Sequence, residues 1–405
     1  MFLYSFIIHL GMKRNRKLRR LFFLIVYILF IGGFLSLFFI GNEHLEKRAN
    51  MPVINHQSNS SSNYEYKSVS GNYLFSGTVM LGRAVETFAN GDYNQPFMGM
   101  STLGSYDANI GVLECPITNN VDSYQNQVTN LLFNCSPKWL PTLKKYFPIL
   151  NLSSNHLYDQ TQTGYNTTVN YLTSAGFQTV GNFNPHIEKD DCKAIILPIK
   201  LQKSNNQNVN STIPVAICSY NYKTIFTPSP GELESIQKWS RLMPVIGLMN
   251  GGPEYMHTNG SDQANVAHKM IDYGASFVLG NGTHWVQNTE VYKGKLIEYS
   301  LGNFIFDQLD YDGRIALNVS VAMSFNYDDN VAKWIAISDS CKNNSEGCIS
   351  LASSQNLSKI NPKFIYGAVG SYGGYLQVAT KANPKQQEDI ESRATWSSSM
   401  KLLGQ

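Results

Sequence analysis

Charge is scarce in this chain. Of its 405 residues only 15% are Asp, Glu, Lys or Arg, and the formal net charge of +3 is owed to one short stretch. Residues 13–20, KRNRKLRR, hold six positive charges (Lys13, Arg14, Arg16, Lys17, Arg19 and Arg20), and without them the remainder stands at −3. No basic face is left of the kind that nucleic-acid binding needs, so that class is excluded. Internal repeats are missing too. A small-x-small cleavage site is also lacking after the uncharged run LFFLIVYILFIGGFLSLFFI, Leu21–Ile40. That run exceeds the ~7–15 residues of a signal-peptide core, which argues against a cleaved leader. At about 1.5 Å per residue a helix over it spans roughly 30 Å, one hydrocarbon core. The basic residues before it keep the N-terminus in the cytoplasm and put the body outside, periplasmic or extracellular, on a single-pass anchor of the cytoplasmic membrane. Met1–Leu10 is also apolar, and Met12 opens a more usual basic start; Met12 is therefore the expected initiator.

Apolar residues are plentiful, at 43% of the chain. That is enough for one large domain or two smaller ones. Six cysteines fit an exported body. Proximity suggests a Cys341–Cys348 pair across CKNNSEGC. Cys192 and Cys218 flank two strand-like runs that pair as a hairpin, which leaves Cys115 with Cys135. Free buried thiols are the alternative for some of them.

The organisation reads as a basic N-terminus (1–20), an anchor (21–40), a polar linker (41–71), a main domain (72–310), a β-rich completion of it (311–381) and a polar, loosely ordered tail (382–405). Within the main domain short apolar runs end repeatedly in Gly, Asn or Ser clusters: NYLFSGTVMLGR, ANIGVLECPIT, FPILNLSSNH, MPVIGLMNGGPEY, ASFVLGNGTH and LIEYSLGNFIFDQ. Runs of this length bounded by turn residues predict buried strands. Helical spacing appears between them in TGYNTTVNYLTSAGF, PGELESIQKWSRLM and DQANVAHKMIDYGA. Strands alternating with helices make a layered α/β domain, whose sites form outside the strand ends. RIALNVSVAMSF alternates strictly and predicts a half-buried strand; an antiparallel portion is expected to continue through AKWIAIS.

Taken together, GTVMLGR, LECPIT, SSNHLYD, NGGPEY and GTHWVQNTEVYKGKLIEYSLGNFIFDQ resemble the bacterial CapA-type poly-γ-glutamate capsule proteins over roughly residues 72–310. The resemblance implies a fold similar to calcineurin-like metallophosphoesterases, an α/β sandwich with a metal site at the strand ends. It carries over only in part. Thr78 stands where that family has an Asp, Val112 where it has an Asn, Asn250 where it has a His, and Gly282 with Thr283 where it has His-Pro. What the resemblance leaves as metal ligands is Glu114, Asn155, His156 and His284, enough for at most one weakly held divalent ion, Mn, Zn or Mg. Asp107 and His257 are alternative donors from nearby loops. His156 with Asp159 is expected to act as a general acid or an oriented pair. Arg83, Asn250, Glu254, Tyr255 and Asn303 are expected to line the same pocket.

The resemblance further implies a component of poly-γ-glutamate synthesis or export. Its expected partners are the membrane, the polymer, and a synthetase complex of an ATP-dependent amide ligase and a small membrane subunit. Polymer contact must come from local cations such as Arg83, Lys144 and Lys145, because the body as a whole is faintly acidic. An exported metal-dependent phosphoesterase and a non-catalytic scaffold are the other readings.

Overall fold

The computed structural model describes residues 65–223 and 228–405. The basic stretch, the apolar run Leu21–Ile40 and nearly all of the expected linker lie outside them. Among the described residues no helix is long and apolar enough to cross a membrane.

In chain order the strands are β1 (Tyr66–Val79), β2 (Ala108–Leu113), β3 (Ile149–Asn151), β4 (Gln178–Val180) and β5 (Cys192–Lys203). There follow β6 (Asn208–Asn221), β7 (Val245–Asn250), β8 (Phe277–Asn281), β9 (Thr289–Tyr292) and β10 (Lys295–Glu298). The last are β11 (Asn303–Ile305), β12 (Ile315–Asn326), β13 (Lys363–Gly373) and β14 (Ala379–Lys381). All belong to one mixed sheet with helices packed against it, so the expected layered α/β class holds.

The sheet forks at β1. Its first half alternates buried and exposed residues, then every residue from Tyr73 to Val79 is buried. The alternating half pairs antiparallel with β12 on one side and β5 on the other. The buried half pairs parallel with β2 and β11 instead, with a register shift between Phe75 and Thr78. One wing therefore runs β1–β2–β3–β4, all parallel. The other continues from the β5–β6 hairpin through parallel β7, β8 and β10. Each wing has its own apolar core: Leu113, Trp139, Phe147 and Phe304 in the first, Leu197, Ile217, Phe277 and Trp334 in the second. Strands buried on both faces read as continuous apolar runs, which is why β7 and β8 were legible as such.

All three disulfides form, Cys115–Cys135, Cys192–Cys218 and Cys341–Cys348. Cys192 and Cys218 are register partners on β5 and β6.

Three expectations need correction. The linker ends earlier than residue 71, since β1 starts at Tyr66. AKWIAIS is not a strand but part of the helix Asp329–Cys341, capped by Asp328, whose side chain accepts from Val331 N. Buried Val331, Trp334, Ile337, Ser338 and Cys341 fall on one helical face, a period that a seven-residue window hides. The tail is not loose. Helices Pro384–Arg393 and Trp396–Leu403 bury Ile390, Ala394, Trp396 and Met400 in the larger core. A capping box of Asn383 and Gln386, with Pro384 in the first turn, starts the first of them.

Candidate functional site

Parallel strands of both wings deliver their C-terminal ends to one cleft. On the β1–β3 wall, Glu114 directly follows β2, and its backbone N–H bonds Val79 O at 3.0 Å. The side chain is buried, and Oε2 has no hydrogen-bond partner. After β3 the chain turns sharply, and Ser154 Oγ accepts from His156 N at 3.1 Å. This turn lifts Asn155 and His156 off the strand end. Asp159 Oδ2 accepts from His156 Nδ1 at 2.7 Å and from Phe133 N at 2.6 Å. The Phe133 ring stacks on the His156 imidazole, centroids 3.9 Å apart. Cys135, two residues on, is tied to Cys115, the neighbour of Glu114. Arg83 pairs with Asp307, its Nε donating at 3.0 Å to Oδ2, and its guanidinium lies over Phe133 and Phe306 at 4.7 and 5.4 Å.

On the β6–β8 wall, Lys223 stands two residues beyond β6, and its ammonium bonds Glu254 Oε1 and, at 3.1 Å, Gly282 O. Asn250 ends β7 and turns its Nδ2 to Asn155 Oδ1 and Asn221 Oδ1, 3.4 Å each, so it links the two walls. His284 Nδ1 faces Asn303 Oδ1 at 3.1 Å. Asn303 Nδ2 donates to Gln308 Oε1 and Gly313 O, so the Asn303 oxygen must accept, and Nδ1 of neutral His284 carries the proton. Tyr255 stacks on His284 at 5.4 Å and accepts from Gln308 Nε2 at 3.0 Å. Arg83, Tyr255 and His284 all have left-handed backbones, φ +52°, +58° and +67°. Such conformations are uncommon outside glycine and gather at working sites.

The two imidazoles are shifted in opposite directions. Burial opposes protonation of His156, but the Asp159 hydrogen bond and the charges of Glu114 and Asp159 outweigh it, so its pKa is raised. Burial dominates at His284, and the Lys223 charge adds to it; Glu114, Asn303 and Glu254 pull the other way without prevailing, so its pKa is lowered. The 3.9 Å approach of His284 Nε2 to Glu254 is therefore not an ion pair at neutral pH. Burial raises Glu254, yet its bond to Lys223 and the neighbouring charges hold it below the usual carboxylate range. Glu114 and Lys223 each act on both imidazoles, so these groups share one electrostatic space. Two imidazoles whose pKa values are pushed apart in one cleft suit acid and base roles.

The donor set does not fit a pair of divalent ions. Among the described residues no three His, Cys, Asp or Glu side chains gather as a metal cage. Asn250 spends its amide nitrogen on Asn155 and Asn221, and its Oδ1 is left without a partner. Gly282, at φ +93°, offers no side chain, and a Cβ there would sit 2.8 Å from that oxygen.

Glu114, Asn155, His156, Asp159, Arg83, Asn250, Glu254, Tyr255, His284 and Asn303 are thus joined through contacts or shared charge. The alternative donors are not part of this set. Asp107 bonds Lys200 and Asn72 N at the opposite end of β2, and His257 stacks on Trp285 beside Asp312. Lys144 and Lys145 sit on the helix that leads into the start of β3, also the far end. Phe133, Lys223, Asp307 and Gln308 escaped the sequence reading. Asp307 and Gln308 closed a quoted motif, whereas nothing around Lys223 sets it apart from any other lysine.

The profile of the family described as "Bacterial capsule synthesis protein PGA_cap" matches residues 72–308. The capsule biosynthesis protein CapA of Bacillus anthracis is 28% identical over 57% of this chain and 59% of its own length. The PGA biosynthesis protein CapA of Bacillus subtilis (strain 168) is 27% identical over 58% of this chain and 63% of its own. The chain thus spans under two thirds of the curated relatives it matches. A solved structure, TT1561 of Thermus thermophilus, aligns over 61% of this chain and 93% of its own at 10% identity with a TM-score of 0.34, a likeness too slight to bear on chemistry.

Proposed function

The chain belongs to the bacterial capsule synthesis family PGA_cap, and on that premise we propose that it is a membrane-anchored component of poly-γ-glutamate capsule assembly. In this reading the apolar run Leu21–Ile40 holds it in the cytoplasmic membrane. The body supports synthesis or export of the polymer on the outer side. Its partners are an ATP-dependent amide ligase and a small membrane subunit. The observation that carries the reading is that the matched stretch, 72–308, supplies every strand end and loop of the cleft.

The forked sheet is read as a metallophosphatase-like framework. Its cleft presents two imidazoles shifted in opposite directions, His156 upward and His284 downward, in place of a two-ion centre. Three disulfides fit the oxidising side of the membrane. The competing reading, an exported phosphoesterase, draws on the buried Glu114 carboxylate with its unpartnered oxygen.

Deleting the gene and assaying surface polyglutamate tests the proposal. Loss of surface polymer, restored by the intact gene, is expected; unchanged polymer overturns it. Complementation with His156→Ala separates a role of the cleft from a purely scaffolding one.

A further inference from the structure

A cation already sits in the cleft, and it is part of the chain. The Lys223 ammonium joins the ends of three neighbouring strands. Lys223 itself follows β6, its partner Glu254 follows β7, and the Gly282 carbonyl follows β8. Its side chain is only 13% exposed, and its backbone N–H is pinned to Asn221 Oδ1 at 3.1 Å. The charge therefore does not wander. A carboxylate, a carbonyl and an imidazole nitrogen 3.9 Å from that carboxylate are the hard oxygen and nitrogen donors that divalent ions use. Asn250 Oδ1, without a hydrogen-bond partner, lies on the same wall.

We propose that Lys223 is the resident cation of the β6–β8 wall, using up the donors Glu254 and Gly282 O so that a divalent ion finds no place there while the ammonium is present. Removing its charge should turn the wall into an ion site built from Glu254, Gly282 O, Asn250 Oδ1 and His284 Nε2. The inference concerns Lys223 alone and stands whether or not the chain serves capsule assembly.

The test is Mn²⁺ binding by the full-length chain purified in detergent, read by calorimetry and by the Mn²⁺ electron paramagnetic resonance signal. Lys223→Ala and Lys223→Gln should bind Mn²⁺ roughly tenfold or more tighter than the unaltered chain, since the like charge opposing it is gone. Lys223→Arg, which keeps the charge, should behave as the unaltered chain. Adding His284→Ala to Lys223→Ala should abolish the gain. Where either neutral variant melts at a lower temperature, Mn²⁺ should restore its melting point and leave that of the unaltered chain in place. Equal Mn²⁺ affinity with and without the ammonium, a gain shared by Lys223→Arg, or no rescue of a weakened neutral variant overturns the proposal.

Discussion

On the β1–β3 wall an imidazole turns its Nδ1 to a carboxylate, Asp159; on the β6–β8 wall another turns its Nδ1 to an amide, Asn303. Both side chains are largely enclosed, 17% and 6% exposed. Burial alone pushes both towards the neutral form. The partner decides the rest: the carboxylate brings His156 back above its ordinary pKa, and the amide leaves His284 below it. The contrast extends to the walls themselves. One has an unpartnered buried carboxylate oxygen, on Glu114, and the other has a lysine ammonium already committed to a carboxylate. One backbone framework thus holds two charge environments at either side of a single gap, set by residues just behind the imidazoles.

The heaviest intervention on one wall alone is to cut Cys115–Cys135. Replacing both by Ser frees the chain over a sequence separation of 20 residues and should lower unfolding stability by about 3 kcal/mol. It should also loosen Phe133 from His156, changing the His156 ring protons in NMR while those of His284 stay. A change of equal size at both rings would dissolve the distinction between the walls.

Asp159→Asn acts more gently. With the carboxylate gone, burial wins at His156, and its pKa should fall. The sign follows from the direction. A raised folded pKa contributes stability that is fully present below the ordinary histidine value and lost as pH rises through the folded one. The variant should therefore lose most to the parent in mildly acidic buffer and little in alkaline buffer, measured by urea unfolding across pH. His284 has the opposite sign: its lowered pKa makes acidification cost stability, and that limb should be the same in both proteins. A loss from Asp159→Asn that is flat with pH would remove the charge argument. Smallest is Tyr255→Phe. It gives up the Gln308 hydrogen bond but keeps the ring against His284, so about 0.5–1 kcal/mol is expected, with the His284 titration unmoved.

The buried strands could be read from the chain because continuous apolar runs and turn clusters are local signals. The polar ends of β2, β3, β7 and β8 were legible for the same reason, but Glu114, Asn155, His156, Glu254 and His284 were singled out there only by the family resemblance. Two segments misled. AKWIAIS is too short for its helical period to outweigh its apolar look, and the tail shows few apolar residues even though Ile390, Trp396 and Met400 suffice to dock it. Lys223 was invisible on principle. Its meaning comes from Glu254 and Gly282, 31 and 59 residues away, and only strand pairing brings them together. Arg83 was named from the resemblance, but its partner Asp307, 224 residues on, was not.

The strand that divides the two wings is also the one by which the described body begins, and that has a mechanical side. Tension applied at Glu65 would run along β1, held edge to edge by β12 over Ser68–Phe75 and by β5 over Tyr66–Ser70. Ladder bonds lie across the strand, so a pull along its axis loads them together in shear instead of peeling them one at a time. The far half of β1 is clamped again between β2 and β11. A tug from that end would therefore meet a strand paired on both edges first. It would reach the cleft at the end of β1, where the Val79 carbonyl holds the Glu114 backbone and Thr78 pairs with Asn303.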